Sequence, residues 1–180
     1  MTKIVFVADL FVEQYQGGAE LTTEALIESC SFEYLKINAN ELTVQHLKQY
    51  QDHFWIFGNF SMMDFQLIPS IVGNLKYAIL EYDYKFCKHR SIEKHLHNEG
   101  VECDCNDKMI GKMVSAFMYG AEKVFWMSSE QEARYLQRFP FLEFKGRVLG
   151  SVFSKQDISY LQFLEGNKNR SGWVIQKSDS

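Results

Sequence analysis

The sequence predicts an α/β fold of the Rossmann-like, doubly wound type: a mainly parallel sheet of about six to seven strands with helices on both faces. Three observations lead there. Short, nearly continuous apolar runs rich in β-branched and aromatic residues recur along the 180 residues, as strands buried on both faces require. Segments with helical apolar spacing lie between them. The connections are short, and strands and helices that alternate in this way build right-handed βαβ units.

The elements follow in order. "KIVFVAD" (3–9) is the first strand, and a helix over 19–30 follows the pair Gly17-Gly18. "FEYLKIN" (32–38) is a shorter, more alternating strand. A helix over 43–51 opens on Thr43 as its capping residue. "HFWIFGN" (53–59) is the third strand. The helical pattern over 64–72 contains Pro69, which predicts a kink or break. "KYAILEYD" (76–83) is the fourth strand. The clearest helix covers 107–119, where Met109, Ile110, Met113, Val114, Phe117 and Met118 repeat at helical spacing and Gly120 stands where a C-cap is wanted. "KVFWMS" (123–128) is the fifth strand. A helix over 129–139 is stopped by Pro140 and carries a capping box from Ser129 to Glu132. "RVLGSVF" (147–153) is the sixth strand and "GWVIQ" (172–176) a candidate seventh. Residues 1–153 therefore read as one domain and 154–171 as an exit helix and polar linker. Residues 172–180 read as the start of a second domain.

Composition excludes several classes. With 46% hydrophobic residues the chain can bury a sizeable core, which argues against disorder. A net charge of −4 and the lack of a long basic run disfavour nucleic acid as a partner. Lys3 is followed by only five apolar residues before Asp9, too few for a signal core, and no apolar run approaches the ~18 residues of a membrane span. The expected place is the cytoplasm, with peripheral attachment at a membrane compatible with the sequence.

In open α/β sheets ligands bind beyond the carboxyl ends of the strands, so the residues there are the site candidates. "QGGAE" (16–20) sits at the first such turn. Glycines at Gly17 and Gly18 let a backbone approach a ligand closely, and the helix start favours anions; they equally serve a plain turn. The pattern is neither a G-x-G-x-x-G fingerprint nor a Walker A loop. Glu20 is a favourable first-turn acid or a ligand contact. Asn59 and Ser61 follow the third strand. Glu81 and Asp83 end the fourth, where a carboxylate can orient or deprotonate a hydroxyl; the sequence does not separate the two, and a turn or cap role competes. Lys85, His89 and Arg90 give the next loop a positive side suited to an anionic acceptor or phosphate, unless they pair with local acids. Ser128 and Ser129 read as helix caps.

The stretch 87–105 holds Cys87, His89, His95, His97, Cys103 and Cys105. These are zinc-ligand types, but their spacings are not the usual C-x2-C pairs. The expectation is no metal, with small buried cysteines and histidines on a helix surface. A zinc-stabilised interaction domain is the alternative that this cluster supports.

The run from the first strand through "GGAE" into helix one resembles the N-terminal domain of GT-B glycosyltransferases of the glycosyltransferase family 4 type. The resemblance continues in "LEYDYKFCKHR" (80–90), "VFWMSSEQEARYL" (124–136), "RVLGSVF" and "SGWVIQKSDS" (171–180), in order along most of the chain. It departs where the family's linker strand carries Asn-Gly, here Gly150-Ser151, and where a cleft histidine is common, here Glu81 or Tyr82. The family's donor-binding second domain, with its paired glutamates, is not in this sequence. The resemblance implies an acceptor-side half of an enzyme that moves a sugar from a nucleotide-sugar donor to a glycan or lipid-linked acceptor. It implies no cofactor or metal, a C-terminal domain or partner chain to complete the cleft, and little activity for this half alone. Asp83 and Glu81 are then the catalytic candidates, and Gly17, Gly18, Glu20, Asn59, Lys85 and Arg90 the substrate-binding ones. Phe11, Tyr15 and Phe60 are expected to be exposed on the cleft face. A non-enzymatic Rossmann-like module that binds a nucleotide, sugar or partner is the alternative.

Overall fold

The computed structural model describes residues 3–166. Six strands form one parallel sheet: β1 (Ile4–Ala8), β2 (Tyr34–Asn38), β3 (Phe54–Phe57), β4 (Lys76–Glu81), β5 (Lys123–Trp126) and β6 (Gly146–Val148), in the order β2-β1-β3-β4-β5-β6. Between them run α1 (Gly18–Glu28), α2 (Val44–Gln49), α3 (Ile68–Asn74), α4 (Ile92–Glu99), α5 (Met109–Gly120) and α6 (Ser129–Arg138), and α7 (Lys155–Gly166) follows β6. The fold class read from the sequence is the one observed. Helix α7 falls where an exit helix was expected, whereas the candidate strand over 172–176 lies outside the described residues.

The distribution of helices follows from handedness. The step from β1 to β2 runs one way along the sheet and every later step runs the other way. Right-handed crossovers therefore place α1 on one face and α2 to α6 on the opposite face, while α7, after the last strand, lies beside α1. The larger core lies on that second face. It joins Val5, Val7, Trp55, Phe57, Tyr77, Ile79, Val124 and Trp126 of the strands to Leu47, Ile71, Val114, Phe117 and Tyr135 of the helices. Aromatic rings dominate it: Phe57, Phe60 and Tyr77 all meet Phe117 at centroid separations of 5.0 to 5.1 Å. The Tyr77 hydroxyl donates to the Phe117 carbonyl at 2.6 Å, so burial leaves no lost hydrogen bond there. On the α1 face only Phe6, Ala8, Phe11 and Ile27 form a compact cluster. The rest of that face is a groove of about 450 Å³ lined by apolar strand residues, among them Phe54, Ile56, Ala78, Leu80 and Phe125.

Several local expectations are corrected. Pro69 does not break a helix; it lies in the first turn of α3, where its missing N–H costs nothing, after a 3-10 turn at Phe65–Leu67. The cap of α6 is Ser128 rather than Ser129: its hydroxyl accepts from the Gln131 N–H, and Gln131 Oε1 accepts from Met127 N–H. Gly120 ends α5 without a left-handed cap; a Cβ there would lie 2.5 Å from the Tyr77 hydroxyl oxygen, so close packing is what requires it. Strand β6 is shorter than 147–153, because pairing with β5 ends at Val148.

Candidate functional site

The strand order reverses direction between β1 and β3, and this switch opens a crevice at their carboxyl ends. Residues just past β1, β3 and β4 meet there. Asp9, directly after β1, is 5% exposed and acts as an acceptor hub. Its carboxylate receives the Ser61 N–H at 3.1 Å, the Ser61 hydroxyl at 2.5 Å and the Met62 N–H at 2.8 Å. The loop after β3 is thereby folded over the end of β1.

Arg90 joins this loop to the one after β4. Its guanidinium donates to Asp83 Oδ2 at 2.5 Å, Ser61 Oγ at 2.8 Å and Asn59 Oδ1 at 2.7 Å. A chain of donors thus runs from Arg90 through Ser61 to Asp9. Arg90 is also the one non-glycine residue with positive φ among those described, at 55°, a conformation that costs roughly 1–2 kcal/mol. The tight loop holds it: Cys87 N–H donates to Tyr84 carbonyl at 2.8 Å and Arg90 N–H to Cys87 carbonyl at 2.9 Å.

Behind Arg90 lies a buried ionic group. Lys85 is 3% exposed and its ammonium lies 3.1 Å from Asp83 Oδ1 and 3.5 Å from Glu81 Oε2, above the Phe60 ring. Glu81 is wholly buried. Its Oε1 accepts from Lys85 N–H at 3.2 Å and Tyr135 hydroxyl at 3.0 Å, while Oε2 has no hydrogen-bond donor. Burial pushes the Glu81 carboxyl up to about 7; Lys85 opposes that rise and the Asp83 charge adds to it. Gln131 and Tyr135 of α6 also donate to the Asp83 carbonyl, at 3.0 and 3.4 Å, so the capping residue of one helix positions the acid of another loop. Ser61, Lys85, Lys88 and Arg90 then line a cavity of about 400 Å³ with Met63, Phe65 and Ile110, cationic on one side and apolar on the other.

The glycine pair lies on the α1 side of the crevice, and its members differ. A Cβ on Gly17 would stand 2.5 Å from Glu20 Oε2 and 2.6 Å from the Tyr15 ring, whereas one on Gly18 would meet nothing within 4 Å. Gly17 is required because the Glu20 side chain, 7% exposed, folds back across it. The Thr23 and Tyr82 hydroxyls bond at 2.7 Å and tie α1 to the end of β4. Burial pushes the Tyr82 phenol up to about 12, against the effect of that hydrogen bond.

The structure brings Asn59, Asp83, Lys85 and Arg90 into one network with Glu81 behind it. Gly17, Gly18 and Glu20 open α1, which Thr23 joins to Tyr82, and Gly18 lines another cavity with Leu21, Val152, Phe153 and Tyr160. Asp9 and Ser61 are the members that the sequence candidates passed over or left minor; an acid at the end of the first strand was the available signal. Two expected cleft aromatics are corrected. Phe11 is 5% exposed and packs with Phe6 and Ile27, and Phe60 is fully buried against Phe117; Tyr15 is 43% exposed.

A second constellation adjoins the loop that carries Arg90. Cys87, His95 of α4, Cys103 and Cys105 are all buried, and their ligand atoms all lie within 4.8 Å of one another. His95 Nδ1 is 3.6 Å from Cys87 Sγ and 3.5 Å from Cys105 Sγ. The His89 N–H donates to Cys87 Sγ at 3.4 Å. His95 is thus not on a helix surface as expected: Ser91 caps α4 and that register turns His95 inward. His97 is exposed.

No protein-family model matches the sequence, and no curated protein is significantly similar to it.

Proposed function

We propose that this chain is the acceptor-side domain of a GT-B type glycosyltransferase, and that the crevice at the β1–β3 switch holds the acceptor in sugar transfer from a nucleotide-sugar donor. The observation that carries the reading is the Asn59–Ser61–Asp83–Arg90 network at the carboxyl ends of β3 and β4. It sets a carboxylate and a guanidinium side by side at the mouth of a cavity with further ammonium groups. A guanidinium in that position suits a phosphate or carboxylate on the acceptor. Asp83, with 22% of its side chain accessible, is the better candidate to orient or deprotonate an acceptor hydroxyl; Glu81 is sealed beneath it and sets the position of Lys85. At the start of α1 the backbone is open at Gly18, beside Glu20 folded across Gly17, and this helix start is where donor phosphates would lie. The incompletely covered sheet face agrees with a domain that works beside another one. Among the described residues no helix is long and apolar enough to cross a membrane.

Calorimetric titration with glucose 1-phosphate, UDP-glucose and UMP, each alone, tests the reading. The reading predicts binding of the sugar phosphate and its loss in Arg90→Ala. Equal binding of UMP and UDP-glucose with none of the sugar phosphate would favour the non-enzymatic nucleotide-binding module instead.

A further inference from the structure

We infer that Cys87, His95, Cys103 and Cys105 form a closed site for one Zn²⁺, and that this ion fixes the loop that presents Lys85 and Arg90 to the crevice. The site adjoins the crevice cavity through Cys87, but it stands or falls without the sugar-transfer reading. The four ligands come from three chain segments: the loop after β4, helix α4 and the returning C-x-C stretch. Each is buried, and convergence of three thiols and an imidazole from separate segments is more than small apolar filling requires.

The two distances from His95 fit a tetrahedral ion. Tetrahedral zinc has Zn–S near 2.3 Å and Zn–N near 2.0–2.1 Å, which puts sulfur and nitrogen about 3.6 Å apart along an edge. The edges from His95 Nδ1 to Cys87 Sγ and Cys105 Sγ are 3.6 and 3.5 Å. The donor set, three thiolates and one imidazole, is the soft and borderline set that selects Zn²⁺ over Mg²⁺ or Ca²⁺. Four protein ligands leave no open position, so the ion is structural. Its binding displaces three thiol protons to solvent and leaves the site with one net negative charge. Outer contacts suit that charge: the His89 N–H points at Cys87 Sγ, and the ammonium groups of Lys88 and Lys108 lie within electrostatic reach of Cys105. The connection to the crevice is short. Arg90 N–H donates to the carbonyl of Cys87 itself, so an ion on the Cys87 sulfur anchors the turn that holds Arg90 in its left-handed backbone conformation.

The test uses the full chain, purified under reducing conditions without chelator. Elemental analysis is expected to give about one zinc per chain, retained in Cys30→Ser, which alters the one cysteine outside the cluster. Removal of the ion with a strong chelator should lower the melting temperature by roughly 10 °C or more and broaden the backbone amide signals of Asp83 and Arg90. Cobalt added to the metal-free wild-type protein should give the visible absorption of a tetrahedral thiolate complex, a readout that needs no ligand variant to fold. Less than about a tenth of an equivalent of zinc together with no cobalt spectrum would overturn the inference. An intact mass two hydrogens low in the metal-free, unreduced protein would also overturn it, since that marks a disulfide among these thiols.

Discussion

Replacing Glu81 by Gln should change how stability depends on pH, by an amount the structure sets. Burial raises the Glu81 carboxyl from 4.5 in the unfolded chain to about 7 in the folded one. Between these values the folded state keeps a proton that the unfolded state releases. Stability conferred by the protonated form is therefore complete below about 4.5, falls as pH rises through the window and levels off above about 7. At about 1.4 kcal/mol per unit, the full window is worth on the order of 3 kcal/mol. Glutamine keeps an acceptor for the Lys85 N–H and the Tyr135 hydroxyl and puts its N–H₂ where Oε2 now faces the Lys85 ammonium at 3.5 Å, but does not titrate. Lys85 then relies on Asp83, 3.1 Å away. Urea unfolding of both proteins at pH 5, 6, 7 and 8 reads the difference. Relative to wild type, Glu81→Gln should gain about 2.5 kcal/mol of stability between pH 5 and pH 8. Parallel curves across that range would refute the reasoning, since they would mean that Glu81 is ionised in the folded protein throughout.

Three further outcomes are expected. Gly17→Ala should destabilise by about 1–3 kcal/mol, because its Cβ would strike Glu20 and Tyr15, whereas Gly18→Ala, whose Cβ meets open space in the first turn of α1, should be neutral or slightly stabilising; thermal melts of the pair decide. Gly111→Ala, whose Cβ would overlap the Cys105 carbonyl and Asn106 Cα, should cost a similar 1–3 kcal/mol and weaken retention of zinc, seen by melting and elemental analysis together. Arg90→Ala should shift the melting temperature by only a few degrees, since 40% of that side chain is accessible, yet reduce affinity for glucose 1-phosphate roughly tenfold or more by calorimetry.

Much of this architecture was legible in sequence. The runs at Ile4, Tyr77 and Val124 are apolar on both faces because their strands are interior, and Met109 to Met118 repeat at the period of α5. What escaped was whatever depends on one residue of register or on closure in space. Ser128 and Ser129 are equivalent as cap letters until the backbone chooses. Pro69 reads as a break unless the helix is known to begin beside it. Phe11 and Phe60 lie in loops and read as exposed, but one folds under α1 and the other under Lys85. Of the site, Glu81, Asp83, Lys85 and Arg90 were visible as a charged cluster after a strand; the division of labour among them was not, because it follows from burial. The cysteine and histidine spacing has no familiar period, since the C-x-C stretch returns to Cys87 only after α4 has turned His95 inward.

In the proposed mode of binding an anionic saccharide sits between Arg90, Asn59 and the Gly17–Glu20 turn. Amide chemical-shift mapping of the ¹⁵N-labelled chain, titrated with glucose 1-phosphate, tests it most directly. Saturable shifts are expected at Gly17, Gly18, Asn59, Lys85 and Arg90 and none along the apolar groove at Phe54 and Phe125. Shifts confined to that groove, or none at saturating ligand, would contradict it.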